Sequence, residues 1–473
     1  MTVQIFERFF YKINLMLKTG DKKLIHAWAF YDWANSVYSL VIATAIFPLF
    51  YSAMTEGKTV YFLWMKWDYP DTLYSYALSF SFLVVAFMSP ILSAIADYTG
   101  NKLKFMKFFC WLGGLAVMSL YFFINLETAW IGIVCTIFAS IGFWSSIVFY
   151  NSYLPEVALP EQQDAASAKG FIYGYVGSVI LLLLSLGMIL YPGSFGFDIS
   201  ISETQLASGS ASEIAEALKQ AKDAAAIHAM RISFVMVGLW WIGFAQVTFK
   251  RLPNNVHHRK SEKDFIWKGF KELKIVWIEL KNAPNLKNFL IAFFLLSVGV
   301  QTIILLATIF GSSELGLGTI NLIVTVLLIQ VVAIFGAAFF SKLSSKIGNI
   351  KAIKITILIW ILVCFSAFLL EKNLVNVDLY FYGLGALLGL VLGAIQSLTR
   401  STYSKLLPET EDHATYFSFY DVTEKIAIVL GTFVFGFLIY LTDSMQYSVL
   451  CLALFFVASL IVLSKLKKTK YVQ

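Results

Sequence analysis

Charge is what this 473-residue chain has least of: Asp, Glu, Lys and Arg together make up 14% of it, where a soluble domain carries roughly 25%. Apolar residues make up 59% and the mean hydropathy is +0.74. So little polar surface cannot solvate a globule of this length, and lipid must cover much of it. The same shortage excludes disorder and a charged coiled coil. Cysteine is scarce too. Cys110, Cys135, Cys364 and Cys451 lie in apolar runs without metal-ligand spacing, which excludes a disulfide scaffold and leaves them as small core residues. The five histidines fall at span ends or in loops, and the neighbours His257 and His258 make too short a constellation for zinc. No G-x4-G-K-[ST] motif is present for ATP-driven transport, and no serine, histidine and carboxylate pattern suggests a hydrolase. The expectation is a protein that is not an enzyme, with no metal and no cofactor. Period-two alternation does not recur at ten-residue spacing, so a membrane β-barrel is excluded as well.

What the chain does have is long apolar runs. Twelve are long enough to cross a bilayer, at about 28–53, 71–96, 103–124, 128–153, 167–191, 229–250, 286–311, 316–341, 351–371, 378–402, 415–441 and 445–464. The fold class expected is an all-α membrane protein with twelve transmembrane helices. All but six of the 36 lysines and arginines fall in segments on one side of these runs; the exceptions are Lys58, Lys66, Lys219, Lys222, Arg231 and Lys372. The positive-inside rule then puts both termini in the cytoplasm. The net charge of +7 reflects this inner collar, and no nucleic-acid partner is expected.

The expected organisation is a basic amphipathic N-terminus (1–27), a first six-helix half (28–250), a linker (251–285), a second half (286–464) and a basic tail (465–473). The N-terminus lacks a continuous apolar core and a small-residue cleavage site, so it does not read as a signal peptide. Within the first half, 192–228 is an outer insert whose alanine-rich stretch 211–227 reads as a short separate helix. In the linker, Ile266, Phe270, Leu273, Trp277 and Leu280 share one face flanked by lysines. That pattern predicts an interfacial helix resting on the anionic inner leaflet.

The two halves repeat one another. Ser93-x6-Gly100-Asn101 recurs 248 residues later as Ser341-x6-Gly348-Asn349, and YNSYLPE from Tyr150 recurs 253 residues later as YSKLLPE from Tyr403. Two ordered matches at nearly equal offset, in equivalent turns, identify six-helix pseudo-repeats. Gly100 and Gly348 suit tight turns with positive φ.

Six plus six helices, a basic central loop and a short glycine turn after the second helix resemble the major facilitator superfamily. Its signature turn reads here S-A-I-A-D-Y-T-G-N-K, with Asp97, Gly100 and Lys102 in the matching places and Tyr98 where arginine is usual. The second copy carries Ser345 in place of the acid. A narrower likeness lies in Tyr31-Asp32-Trp33-Ala34-Asn35-Ser36, in G-A-I-Q-S-L-T-R-S from Gly393, and in the two Leu-Pro-Glu turns. These are similar to the vacuole-effluxer (autophagy-related permease) branch and its bacterial relatives. The resemblance implies the major facilitator fold and a secondary transporter working by alternating access on small neutral or zwitterionic solutes such as amino acids. It also implies a place in a bacterial inner membrane. Two rivals stand beside it: a proton-coupled exporter of lipophilic or amphiphilic compounds, and a sensor or scaffold that no longer transports. Partners expected are a small solute and lipid, with a proton open as coupling ion; no oligomer is predicted.

Ionisable groups inside spans are candidates by default. Asp32, Arg400, Asp421, Glu424 and Lys425 all read as lying toward the cytoplasmic side, which suggests an inner gate or coupling role. Asp32 has three open fates: a pair across the halves with Arg400 or Lys425, a proton site, or a hold on a substrate amine. Asp421 and Lys425 can instead pair locally, four residues apart on one helix. The family likeness implies that Asp97 meets the start of the eleventh helix near Ala414 to Ser418, whose dipole favours negative charge. It also implies a cavity lined by the first, fourth, seventh and tenth helices, with Asn35, Ser36, Tyr38, Trp144, Tyr150, Asn151, Gln301 and Gln396 as candidate lining. Gly385-x3-Gly389-x3-Gly393 and Gly170-x3-Gly174 read as seams for close helix packing.

Overall fold

The computed structural model describes residues 18–200, 210–254 and 265–466; most of the N-terminal segment, the His257–His258 pair and most of the basic tail lie outside them. Among the described residues, twelve helices are long and apolar enough to cross a membrane. They are Lys22–Thr55, Pro70–Thr99, Lys102–Phe122, Leu126–Val157, Pro160–Leu190 and Ala211–Phe249 in the first half. The second half has Pro284–Glu314, Ile320–Ile347, Asn349–Phe368, Val377–Leu406, His413–Thr442 and Met445–Ser464. Each half packs its own core. One surrounds Trp28, Tyr31, Phe50 and Trp241, the other Trp360, Tyr403, Phe417 and Phe456.

Local chemistry sets the helix ends. Asp21 caps the first span by accepting from the Lys23 amide at 2.6 Å. The second span ends at Gly100, whose φ of 69° and ψ of 22° are the left-handed conformation that glycine adopts without a Cβ penalty. Gly348, at φ 90°, turns the chain at the equivalent place in the second half. Tight packing in the second half comes from the tenth-span glycines. A Cβ on Gly389 would stand 2.5 Å from the Ile329 carbonyl, and one on Gly393 2.2 Å from that of Ala333, both on the eighth span.

Four features depart from the sequence reading. The first span starts at Lys22, six residues earlier than expected, and passes through a π-helical segment, Tyr38–Ile46, just before Pro48. Proline gives no N–H to the preceding turn, and the wider π turns absorb that break. Second, the alanine-rich stretch is no separate helix. It runs unbroken into the sixth span as Ala211–Phe249, started by a Ser210–Glu213 capping box, because neither proline nor glycine interrupts it before Gly238. Its 39 residues span about 58 Å, far beyond a hydrocarbon core of about 30 Å. Third, a small antiparallel hairpin, β1 (Val60–Phe62) with β2 (Met65–Trp67), sits between the first two spans. Fourth, the linker helix Phe265–Asn282 docks on protein. Val276 and Leu280 are buried in the second-half core, Tyr416 donates to Glu279 at 2.5 Å, and Trp277 packs beside Phe419. Ile275, Trp277 and Ile278 stay exposed.

Candidate functional site

Between the halves lies a cavity of about 370 Å³, lined by Asp32, Asn35, Ser36, Tyr38, Trp144, Asn151, Gln301, Gln396, Arg400 and Glu424 among others. The fifth span adds Phe171, Tyr175 and Ser178, and the eighth adds Thr325 and Gln330. Sequence reasoning missed these, because it assigned the lining to four helices only.

Asp32 and Arg400 meet at one end of the cavity, nearer the face where the first span begins and the last ends, here called the termini side. Arg400 Nη1 and Nη2 each lie 3.3 Å from Asp32 Oδ2. Nη1 also donates to Asn151 Oδ1 at 3.2 Å, Nε to Ser167 Oγ at 2.9 Å, and Nη2 to the Ser167 carbonyl at 2.8 Å. Guanidinium has five N–H groups, and five bonds are made. Four of the five acceptor contacts use the first half's Asp32, Asn151 and Ser167 side chains, and the fifth uses Ser167's backbone, so the second half's arginine is held wholly by the first. The rings of Phe171, Trp28 and Tyr150 surround it, with Phe171 4.2 Å away. Burial this complete is tolerated because the charge is paired and every donor is satisfied.

Two positions read differently in the structure than in the sequence. Tyr150 does not line the cavity. It is fully buried beneath it, stacked on Trp28, and its hydroxyl donates to Asp32 Oδ2 at 2.8 Å. Its ring is held by Trp28 and Tyr31 of the first span, so it positions the carboxylate. Asp32 itself lies ten residues into the first span, about 15 Å along it, because that helix begins early. The carboxylate is therefore part of the cavity wall, deeper than one turn. Gly170 does more than form a seam: a Cβ there would fall 2.4 Å from Asp32 Oδ2 and 3.0 Å from Arg400 Nη2. Its missing side chain is the space the ion pair occupies.

Five further contacts join the halves. Tyr175 donates to Gln396 Oε1 at 2.7 Å and Ser167 Oγ to the Ser397 carbonyl at 2.8 Å. At the termini side, Asp97 accepts from the amides of Ala414 and Thr415 at 3.2 and 2.7 Å and from the Thr415 hydroxyl at 2.9 Å. Lys102, buried, pairs with Glu156 and stands 3.9 Å from Asp97, and Glu156 also meets His413 Nδ1 at 3.0 Å. Across the pseudo-repeat, Asp164 accepts from Ser344 at 3.1 Å, Asn349 at 2.7 Å and Lys405 at 2.7 Å. Asp164, Ser167 and Lys405 were not singled out by sequence, since no motif marks them; Asn349 was marked only as part of the repeated glycine turn. In the eleventh span, Lys425 lies 3.1 Å from Asp421 and 3.5 Å from Glu424, and Glu424 accepts from Gln301 at 2.7 Å. Arg231 donates to the Tyr121 carbonyl at 2.8 Å over the Tyr121 ring.

Twelve helices in two six-helix halves, with a polar and aromatic cavity between them and side-chain bridges joining the halves at one end, define a membrane transporter of the major facilitator type. The comparisons narrow this. The profile of the vacuole effluxer Atg22-like family matches residues 20–471. YxiO of Bacillus subtilis strain 168, an uncharacterised transporter of the major facilitator type, is 30% identical over 441 residues, covering 93% of this chain and 94% of its own. Autophagy-related protein 22 of Kluyveromyces lactis is 30% identical over 251 residues, covering 49% of this chain and 50% of its own. The chain belongs to the vacuole effluxer Atg22-like family. Solved structures share the fold: the E. coli fucose:proton symporter FucP superposes with a TM-score of 0.64 at 16% identity, covering 94% of this chain and 98% of that one. A double-tryptophan form of XylE superposes at 0.65 and 12% identity, covering 95% of each chain.

Proposed function

We propose that this transporter works by alternating access on small neutral or zwitterionic solutes such as amino acids, with Asp32–Arg400 as the gate on the termini side of the cavity. The excess of lysine and arginine on that side supports a cytoplasmic assignment for it, in a bacterial inner membrane. The observation that carries the gate is the cross-half cage. Arg400, from the second half, spends all its donors on the first, so the halves cannot part there without stripping a buried guanidinium. In this arrangement the cytoplasmic exit is closed, and opening requires the pair to separate and hydrate. Amides, hydroxyls and aromatic rings on the wall suit a solute with one polar end and an apolar group. A multiply charged phosphate would want several cations, and the wall offers one arginine, already engaged.

A second reading rests on one atom. Tyr150 and both Arg400 nitrogens reach Asp32 Oδ2, which leaves Oδ1 outside the cage and open to a substrate ammonium. One experiment separates the readings. Purified protein is screened by thermal shift against amino acids, dipeptides, sugars and amphiphiles, because a bound ligand stabilises by mass action. The stabilising ligand is then used with Asp32→Asn. A gate predicts lost transport with the thermal shift kept, and partial recovery on exchanging the charges as Asp32→Arg with Arg400→Asp. A substrate contact predicts loss of the shift itself. Stabilisation by amphiphiles alone would overturn the amino-acid assignment and favour the lipophilic exporter; no solute flux with any stabilising ligand would favour the sensor.

A further inference from the structure

The gate leaves the eleventh-span cluster unused. Lys425 Nζ stands between Asp421 Oδ1 at 3.1 Å and Glu424 Oε2 at 3.5 Å, and lies 3.4 Å from the centre of the Trp144 ring on the fourth span. Asp421 and Lys425 are buried, and Asp421 Oδ2 has no hydrogen-bond partner among the described residues. Glu424 faces the cavity together with Gln301, which donates to its Oε1. Two carboxylates therefore share one ammonium, and one negative charge is left uncompensated at the cavity wall. The surroundings do not supply the missing positive charge. The seventh span brings Gln301 and the fourth brings Trp144, neither ionisable. The twelfth span carries no charged residue, and the nearest charge of the second is Asp97, two turns away at Ala414. The linker helix brings the acid Glu279 to Tyr416, while its Lys271 and Lys274 are exposed. Tyr420 stands on the same span, and Arg400 on the tenth is committed to Asp32.

We propose that the Asp421–Glu424–Lys425 cluster is the binding site of a coupling proton. The proposal rests on the secondary-transport reading. A metal cation is excluded by geometry, because the Lys425 ammonium already occupies the point between the carboxylates where an ion would sit. A proton needs no such room. It passes from cavity water to an oxygen of the Glu424–Asp421 pair, a new O–H bond forms, and Lys425 stays an ammonium. The cluster is then neutral. Relieved of one carboxylate, the ammonium bears more on the Trp144 ring, which belongs to the other half. Proton binding thus strengthens a contact between the halves, and by linkage parting the halves releases the proton.

The test needs no substrate. Infrared difference spectra of the full chain in lipid nanodiscs, acid minus alkaline buffer, report carboxylic-acid C=O bands and their shift in D2O. Beside the bands of exposed carboxyls and of Asp412, the native chain should show a further titrating band that is lost in Glu424→Gln or Asp421→Asn and kept in Asp32→Asn. Trp144→Leu should keep the band and move its midpoint so that proton affinity changes several-fold. Native spectra that match those of Glu424→Gln and Asp421→Asn overturn the site. An unmoved midpoint in Trp144→Leu overturns the cross-half coupling. If the band behaves as expected while no solute is ever moved, the transport reading fails and the proton site stands.

Discussion

The two turns of the internal repeat close the same face of the protein with the same materials, placed on opposite sides of the interface. In the first, the acid sits in the glycine turn: Asp97 reaches from the first half to the buried amides at the start of the eleventh helix. In the second, the matching turn has Ser345, and the acid sits on the helix instead. Asp164, at the start of the fifth helix, reaches back to Ser344, Asn349 and Lys405 of the second half. Both contacts need one carboxylate and several donors, and geometry does not demand that the carboxylate belong to the turn. A turn that looks degenerate in sequence is complete in space.

The comparison breaks first at Asp164. Asp164→Ala leaves the Lys405 ammonium buried with only Asn349 Oδ1 at 3.1 Å, and removing one member of a buried pair costs about 3–5 kcal/mol. Spin labels across the termini side should show the halves parting, together with a lowered thermal midpoint. Asp97→Asn is milder. Lys102 keeps Glu156, and the loss is confined to charge-assisted bonds at Ala414 and Thr415, for a cost of about 2 kcal/mol. The same labels should show a smaller opening. If Asp97→Asn opened that face further than Asp164→Ala, the two contacts would not be equivalents.

A relocation experiment sharpens the point. Placing the acid where the first turn has it, as Ser345→Asp in an Asp164→Ala background, should recover almost nothing. Ser345 is exposed, and its hydroxyl turns back to the Lys342 carbonyl at 2.8 Å. Restored label distances in the double variant would mean that the turn can reach the interface after all.

The contrast also marks what could be read from the chain. Twelve spans and the two-half plan were legible because apolar runs and repeated turns are direct consequences of lipid and of a duplicated design. Asp97 and its helix-end partner were legible through a motif. Asp164 was not, because it lies 185 residues from Asn349 and outside any motif. Charge complementarity offered Arg400 as a partner for Asp32. Asn151 and Tyr150 were expected as cavity lining, but nothing in the sequence assigned them to Arg400 or Asp32, and Ser167 was not distinguished from the many hydroxyls that merely join helices. Gly170 was visible as a small residue, but its use, as room for a carboxylate, depends on what the fold brings opposite. The π segment and the unbroken sixth helix were missed for a simpler reason: run length and composition report that a helix exists, not how it is wound or where it ends.

The smallest expected effect separates the two contacts by pH. Only the first has the linker helix beside it: Glu279, bonded to Tyr416, stands near Asp412, the residue that precedes the eleventh span. Burial, and then the Glu279 charge, push the Asp412 carboxyl above the ordinary carboxylate range, against a weaker opposing bond from Thr410. The folded chain therefore holds this proton at pH values where the unfolded chain has released it. Its contribution to stability is complete below the ordinary carboxylate value and is lost as pH rises through the raised folded value. Since the group is partly exposed, solvent screens the effect. The thermal midpoint should fall slightly across that window, and Glu279→Gln, which can still accept from Tyr416, should flatten the slope. The Asp164 contact lies away from this pair, so Asp164→Ala should lower the curve without changing its slope. Equal slopes in the native chain and Glu279→Gln would show that the linker helix has no electrostatic hold on the first contact.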